Sequence, residues 1–203
     1  MYRFLTLLII TFSINTSSRS YIDYESPYHP VVGKSGMVVS QNYLSSDIGI
    51  EILNIGGNAV DAAVAVGFSL AITLPRAGNL GGGGFMLVYI KEKDEIFYID
   101  YRSKSPLNSN LENIFNIKDD SGKNYETVPK NFDSKKYDLV DTGYKASAVP
   151  GTVAGLLEAH SRFGKLKLKD ILEPVIKQAK QGIVVSYDLS KAIESTPRLA
   201  NDP

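Results

Sequence analysis

Gly56-Gly57-Asn58-Ala59-Val60-Asp61-Ala62-Ala63-Val64-Ala65-Val66-Gly67-Phe68-Ser69-Leu70-Ala71-Ile72 runs past Pro75 into Gly78-Asn79-Leu80-Gly81-Gly82-Gly83-Gly84-Phe85. Asn58 is a favoured N-cap residue, and Asp61 lies in the first turn behind it. The spacing predicts a helix from Asn58 through Ile72, stopped by Pro75, which has no backbone N–H to donate. Apolar residues run all round this helix, so it should be buried on most sides. Its alanines and Gly67 permit close helix–sheet packing. After the glycines, Phe85 to Ile90 is a continuous apolar run of strand length. Lys91-Glu92-Lys93-Asp94-Glu95 is a charged turn, and Ile96-Phe97-Tyr98-Ile99-Asp100-Tyr101 is a second strand. Together they predict an antiparallel hairpin.

The order of these elements removes two phosphate-binding readings. A phosphate loop needs Lys-Ser or Lys-Thr after its last glycine, and Phe85-Met86 stand there. A dinucleotide fingerprint runs strand, glycines, helix, whereas here the helix comes first. The glycines therefore serve a sharp turn or a close backbone approach, either structural or beside a pocket.

Outward from this block, residues 21–36 read as a loop and Met37-Val38-Val39-Ser40 as a short β-branched strand. Ser45 or Ser46 is the expected cap of a helix over Asp47–Ile55, ended by Gly56-Gly57. Residues 103–148 are polar and turn-rich. They read as a surface insertion with a turn at Asp119–Asn124 and one short helix near Leu111–Phe115. Pro150-Gly151-Thr152 opens a helix that ends at Gly164. Lys169–Gln181 follows, with Pro174 near its first turn and Gly182 after its end. Ser186 caps a last helix from Tyr187 to Ser195.

The first twenty residues are a separate object. Arg3 precedes the apolar run Phe4–Ile14, which is short for a bilayer span of about 20 residues. It fits the core of a secretory signal peptide over residues 1–20, with Thr16-x-Ser18 and Ser18-x-Ser20 as small-residue cleavage points. An exported chain, periplasmic or extracellular, is expected, with residues 21–203 as its body. Ala59–Leu74 is apolar too, but Asp61 and Gly67 interrupt it, so no stable membrane span is expected.

The 203 residues carry 22 basic and 22 acidic side chains, giving no net charge. An electrostatically driven nucleic-acid binder needs a basic excess, so that class is excluded. With 43% hydrophobic and 22% charged residues, the chain is globular rather than disordered. It has no cysteine, which excludes disulfides, zinc fingers and iron–sulfur clusters. Only His29 and His160 are present, too few for a multi-histidine metal site. His29 has no obvious partner, and His160 reads as a surface residue. There is no G-x-S-x-G elbow, and a serine–histidine triad has little support. Lys165-Leu166-Lys167-Leu168-Lys169 reads as a solvated face. Arg102 follows Asp100 at the end of the second strand. Its planar fork matches a carboxylate bidentately, although spacing alone reads it as a solvent-facing or paired arginine.

Four blocks together resemble the γ-glutamyltransferase family (γ-glutamyltranspeptidase, glutathione hydrolase). They are Gly56-Gly57-Asn58-Ala59-Val60-Asp61-Ala62-Ala63-Val64-Ala65, Ala77 through Met86, Asp100-Tyr101-Arg102, and Pro150-Gly151-Thr152-Val153-Ala154-Gly155. The likeness runs from about Met37 to about Ser195. It implies an α/β (α+β) chain, part of the αββα sandwich of an N-terminal nucleophile hydrolase, helix-rich with a central antiparallel hairpin. It implies a self-cleaving precursor whose small subunit begins with a nucleophilic threonine. That threonine takes the γ-glutamyl group of glutathione or a conjugate and passes it to water or to an acceptor amine. No cofactor or metal is implied.

Arg102 matches the family arginine that pairs with the α-carboxylate of the γ-glutamyl group. Tyr101 and Ser103 depart from the commoner phenylalanine and glutamate. The glycine run then reads as close packing beneath the site. The family's processing motif, a threonine pair followed by histidine, is absent: neither His29 nor His160 follows a threonine, and Thr142 and Thr152 are internal. No catalytic nucleophile is therefore expected in this chain. The resemblance is to the N-terminal part of the large subunit. The expectation is a truncated γ-glutamyltransferase-like protein, inactive alone. The alternatives are one chain of a split enzyme completed by a small-subunit polypeptide, and a non-catalytic γ-glutamyl or amino-acid binding remnant.

Overall fold

Asn42 starts the first helix: its side-chain oxygen accepts the N–H of Leu44 at 3.0 Å. Helix α1 covers Tyr43–Asn54. The computed structural model describes residues 31–77, 79–109 and 147–197. The chain divides into two compact units, Met1–Gly36 and Met37–Pro203. Of the first unit, residues 31–36 are exposed and carry neither helix nor strand; all that follows concerns the second. The expected signal segment, His29, the helix near Leu111–Phe115, the turn at Asp119–Asn124 and Thr142 lie outside the described residues.

The expected Ser45/Ser46 cap is corrected. The helix begins earlier, and Ser45 is a fully buried interior residue. Its hydroxyl bonds those of Ser69 and Thr73, each at 2.8 Å, and Ser69 donates to Gln178 Oε1 at 2.7 Å. A buried hydroxyl needs partners, and here they come from the neighbouring helices. Gly56, at φ +94°, takes the left-handed conformation that ends α1.

Helix α2, Ala59–Thr73, forms as the sequence predicts. Asn58 accepts from Val60 and Asp61, while Asp61 accepts the Asn58 N–H at 2.9 Å, completing a capping box. This helix packs against α1, α3 (Thr152–Phe163) and α4 (Leu168–Gln181). Val60, Ala62, Val64 and Ala65 are buried along it. Gly182, at φ +74°, ends α4. Pro174 sits in the interior of α4 rather than near its first turn. Ser186 caps α5 (Tyr187–Glu194) by accepting from Leu189 at 3.2 Å. Among the described residues, no helix is long and apolar enough to cross a membrane.

Strands β1 (Phe85–Ile90) and β2 (Glu95–Asp100) form the predicted antiparallel hairpin, with Phe85 opposite Asp100 and Ile90 opposite Glu95. No strand forms at Met37–Ser40. A β-branched run needs a ladder partner, and among the described residues the sheet consists of β1 and β2 alone. Val38 instead packs on Gly49 of α1.

The hairpin's two faces differ. Val88 and Ile99 enter the core formed by Ile48, Ile52, Val64, Leu156 and Ile171. Phe97 joins α3 through Phe163, ring centroids 4.9 Å apart, with Arg162 lying over both rings. The other face carries Phe85, Leu87, Tyr89, Ile96 and Tyr98, all exposed, Leu87 at 72% and Ile96 at 70%. One face is thus covered by helices, and the other is an open apolar surface.

Candidate substrate-binding site

Strand β2 ends beside α3, and the segment that leaves the strand, residues 101–104, is held at both ends. Gly84 and Tyr101 exchange backbone hydrogen bonds at 3.2 and 3.0 Å, so Tyr101 is the last residue on the hairpin ladder. Lys104 and Val149 exchange another pair at 3.1 and 2.8 Å. Between these anchors stand Arg102 and Ser103. The Arg102 N–H donates to Asp100 Oδ1 at 2.9 Å, which bends the chain as it leaves the strand.

A cavity of about 360 Å³ lies at this bend, lined among others by Asp100, Arg102, Lys104, Gly151 and Glu158. Arg102 is exposed, and among the described residues its guanidinium has no ion pair. Two cations and two carboxylates thus border the cavity. Glu158 lies 3.8 Å from Arg162 on the solvent side of α3. An unpaired guanidinium at a cavity mouth presents its donors to a planar anion such as a carboxylate.

Gly83 and Gly84 pack against the segment that carries Arg102 and do not line the cavity, whereas Gly151 and Gly155 line it. A Cβ at Gly83 would lie 2.6 Å from the Tyr101 carbonyl oxygen, and one at Gly84 2.8 Å from Tyr101 Cε2. Side chains at Gly151 and Gly155 would run into the Tyr101 backbone and ring. The carbonyl of Gly82 accepts the N–H groups of Gly151 and Thr152 at 2.8 and 3.2 Å, closing the start of α3. Four glycines therefore grip Tyr101, the residue before Arg102. Burial pushes the Tyr101 phenol above its ordinary value. The sequence marked Arg102 and the glycine run but missed Tyr101, Gly151 and Gly155 as one packing unit. The available signal was the Gly151/Gly155 spacing, which puts the N-cap of α3 and a residue one turn into it on the same side.

Other singled-out residues are structural. His160 is half-buried rather than a free surface group; its Nε2 lies 2.8 Å from the Leu166 carbonyl, across the α3–α4 turn. Lys165, Lys167 and Lys169 are exposed, as the solvated-face reading expects. Thr152 is the first residue of α3, inside the chain.

The comparisons with known proteins agree with this architecture. The Gamma-glutamyltranspeptidase family model matches residues 45–203. The glutathione hydrolase proenzyme of Escherichia coli (strain K12) is 41% identical over 176 residues, which is 87% of this chain and 28% of that protein. The crystal structure of Helicobacter pylori gamma-glutamyltranspeptidase superposes with a TM-score of 0.68 at 38% identity, over 82% of this chain and 44% of that one. The Pseudomonas nitroreducens gamma-glutamyltranspeptidase complexed with L-DON gives the same TM-score and identity, over 84% of this chain and 46% of its own. The fold is that of an N-terminal nucleophile hydrolase: helices on one face of a sheet, part of an αββα sandwich. Within that class the chain belongs to the γ-glutamyltranspeptidase family. It spans less than half the length of each of these three relatives.

Proposed function

We propose that this chain is the donor-binding part of a γ-glutamyltransferase, with Arg102 holding the α-carboxylate of the γ-glutamyl group of glutathione or a related compound. The observation that carries this reading is the unpaired Arg102 guanidinium at the cavity mouth, on a bend anchored at Tyr101 and Lys104. A bidentate pair fixes the carboxylate in distance and in plane. That in turn restricts where the γ-carbonyl sits, which matters because acyl transfer depends on alignment with the nucleophile.

Among the described residues, the cavity is lined by no serine, threonine or cysteine. The nucleophile of the proposed reaction is an N-terminal threonine from elsewhere. Its hydroxyl attacks the γ-carbonyl, the amine leaves with a proton, and water or an acceptor amine resolves the ester. The chain by itself is then inactive. Its residues 1–20 act as an export signal, and residues 21–203 as the large-subunit part. The open apolar face of the hairpin favours a second reading in which another polypeptide completes the enzyme: Phe85, Leu87 and Ile96 are exposed where the sandwich would continue.

The test is release of p-nitroaniline from γ-glutamyl-p-nitroanilide. The purified chain should release none above buffer. Adding a polypeptide that carries the family's threonine subunit should restore release, and Arg102→Ala should abolish it. Release by the chain alone that depends on Arg102 would overturn the inactive reading. Restored release that ignores Arg102 would remove its proposed role.

A further inference from the structure

We infer that Asp100 is a positioning residue for Arg102: by accepting the Arg102 backbone N–H, its carboxylate sets the chain's exit from the strand and leaves the guanidinium free for an external carboxylate. The inference rests on the substrate-binding role proposed for Arg102.

The two residues are joined by a contact from the Arg102 backbone N–H to the Asp100 carboxylate. Asp100 is the last residue of β2 and Arg102 stands two positions on. Both border the same cavity. An Asp100–Arg102 side-chain pair would occupy the fork that a ligand needs. Here the two side chains make no ion pair, and Asp100 Oδ1 lies 2.9 Å from the Arg102 amide nitrogen instead. The acid is engaged by the backbone. This Asx-type contact tightens the turn between the Gly84–Tyr101 and Lys104–Val149 backbone pairs.

Packing fixes the rest of the segment. Tyr101 is wedged against Gly84, Gly151 and Gly155, so the residue between Asp100 and Arg102 cannot swing away. The Asp100 contact then settles the remaining freedom, the direction in which Arg102 leaves the backbone. A carboxylate is not required for this, only an oxygen acceptor at that place. Asparagine supplies one, and alanine does not.

Charge and geometry make opposite predictions. If Asp100 acts only as a negative charge near the cavity, removing it strengthens anion binding, and Asp100→Asn and Asp100→Ala tighten binding alike. If Asp100 positions Arg102, Asp100→Asn keeps the binding of the original chain or improves it, while Asp100→Ala loses about fivefold, the effect of one ordinary hydrogen bond.

The experiment uses the 203-residue chain, nitrogen-15 labelled, with L-glutamine as the probe, a γ-amide bearing a single carboxylate. Two readouts are followed in each variant: solvent exchange of the Arg102 backbone amide without ligand, and the shift of the Arg102 Nε resonance on titration. The expected result is a protected amide in the original chain and in Asp100→Asn, a fast-exchanging amide in Asp100→Ala, and weaker glutamine binding only in Asp100→Ala. Unchanged amide exchange in Asp100→Ala overturns the inference, as does glutamine binding at least as tight in Asp100→Ala as in Asp100→Asn. Arg102→Ala separates the two levels. Glutamine binding that survives this change removes the site reading and the positioning role with it, whatever the amide of Asp100→Ala does.

Discussion

The carboxylate of Asp61, in the first turn of α2, accepts the backbone N–H of Lys165, 104 residues further along the chain, at 3.0 Å. The same fully buried carboxylate accepts from Leu166 at 3.2 Å and from Asn58 at 2.9 Å. One side chain thus caps its own helix and ties down the turn between α3 and α4. Asp61→Ala would take the acceptor from three half-buried backbone donors, at up to about 1–3 kcal/mol each where a group is left fully unsatisfied. Against a total stability of roughly 5–15 kcal/mol, the variant should be largely unfolded or melt far below the parent. A urea titration followed by circular dichroism checks this, and a loss under about 1 kcal/mol would contradict the assigned role.

The grip on Tyr101 predicts an asymmetric pair of substitutions. Gly155→Ala drives a methyl into the Tyr101 ring and its Cβ, at the base of the side chain where it has least room to move. Overpacking of this kind costs about 1–3 kcal/mol. Tyr101→Phe leaves the ring in place and should be nearly neutral. Thermal melts of the two variants, with the double substitution Gly155→Ala/Tyr101→Ala, test the contact: the double variant should recover part of the Gly155→Ala loss.

Tyr101 also makes stability depend on alkaline pH. Burial raises its phenol above the ordinary value, so the folded chain holds that proton more tightly than the unfolded chain does. Its contribution is complete below the unfolded value of about 10 and is lost as pH rises through the folded value. Urea midpoints measured from pH 8 upward should fall beyond that point, and less steeply in Tyr101→Phe. An identical slope in both proteins would exclude Tyr101 as the source.

Much of this architecture was legible in the sequence because its determinants are local. Asn58 and Asp61 are three residues apart, Gly182 and Ser186 stand at helix ends, and the hairpin's two apolar runs flank one charged turn. What was not legible depended on contacts from afar. Ser45 has the chemistry of a cap, yet it bonds Ser69 and Thr73 of another helix, and Asn42 does the capping. Met37–Ser40 has strand composition without a partner strand among the described residues. Arg102 could be marked, but its setting could not: Gly155 lies more than fifty residues from Tyr101, and only the fold brings them together.

The hairpin's outer face predicts behaviour in solution. Phe85 and Tyr98 stack across the strands with centroids 6.1 Å apart, and with Leu87, Tyr89 and Ile96 they form a contiguous apolar surface. Such surfaces on isolated chains lead to association. Leu87→Lys with Ile96→Lys should raise the monomer fraction in sedimentation velocity without lowering the melting temperature, since neither side chain is buried. The same pair should abolish restoration of activity by a companion threonine subunit, if that subunit covers this face. A large loss of stability would show that the face is already part of a core.

Arg102→Lys is the sharpest test of ligand geometry. It keeps the positive charge and the stem, but replaces a planar fork by a point charge. If Arg102 only attracts anions, the two residues are nearly equivalent. If it holds one carboxylate in a defined plane, lysine loses one of two parallel hydrogen bonds, worth about tenfold in affinity. With the threonine subunit supplied, KM for γ-glutamyl-p-nitroanilide should rise by about that factor, and kcat should fall as well, because a carboxylate free to rotate misplaces the γ-carbonyl. A rise in KM with kcat unchanged would assign Arg102 to uniform binding and separate it from the alignment of the reacting carbonyl.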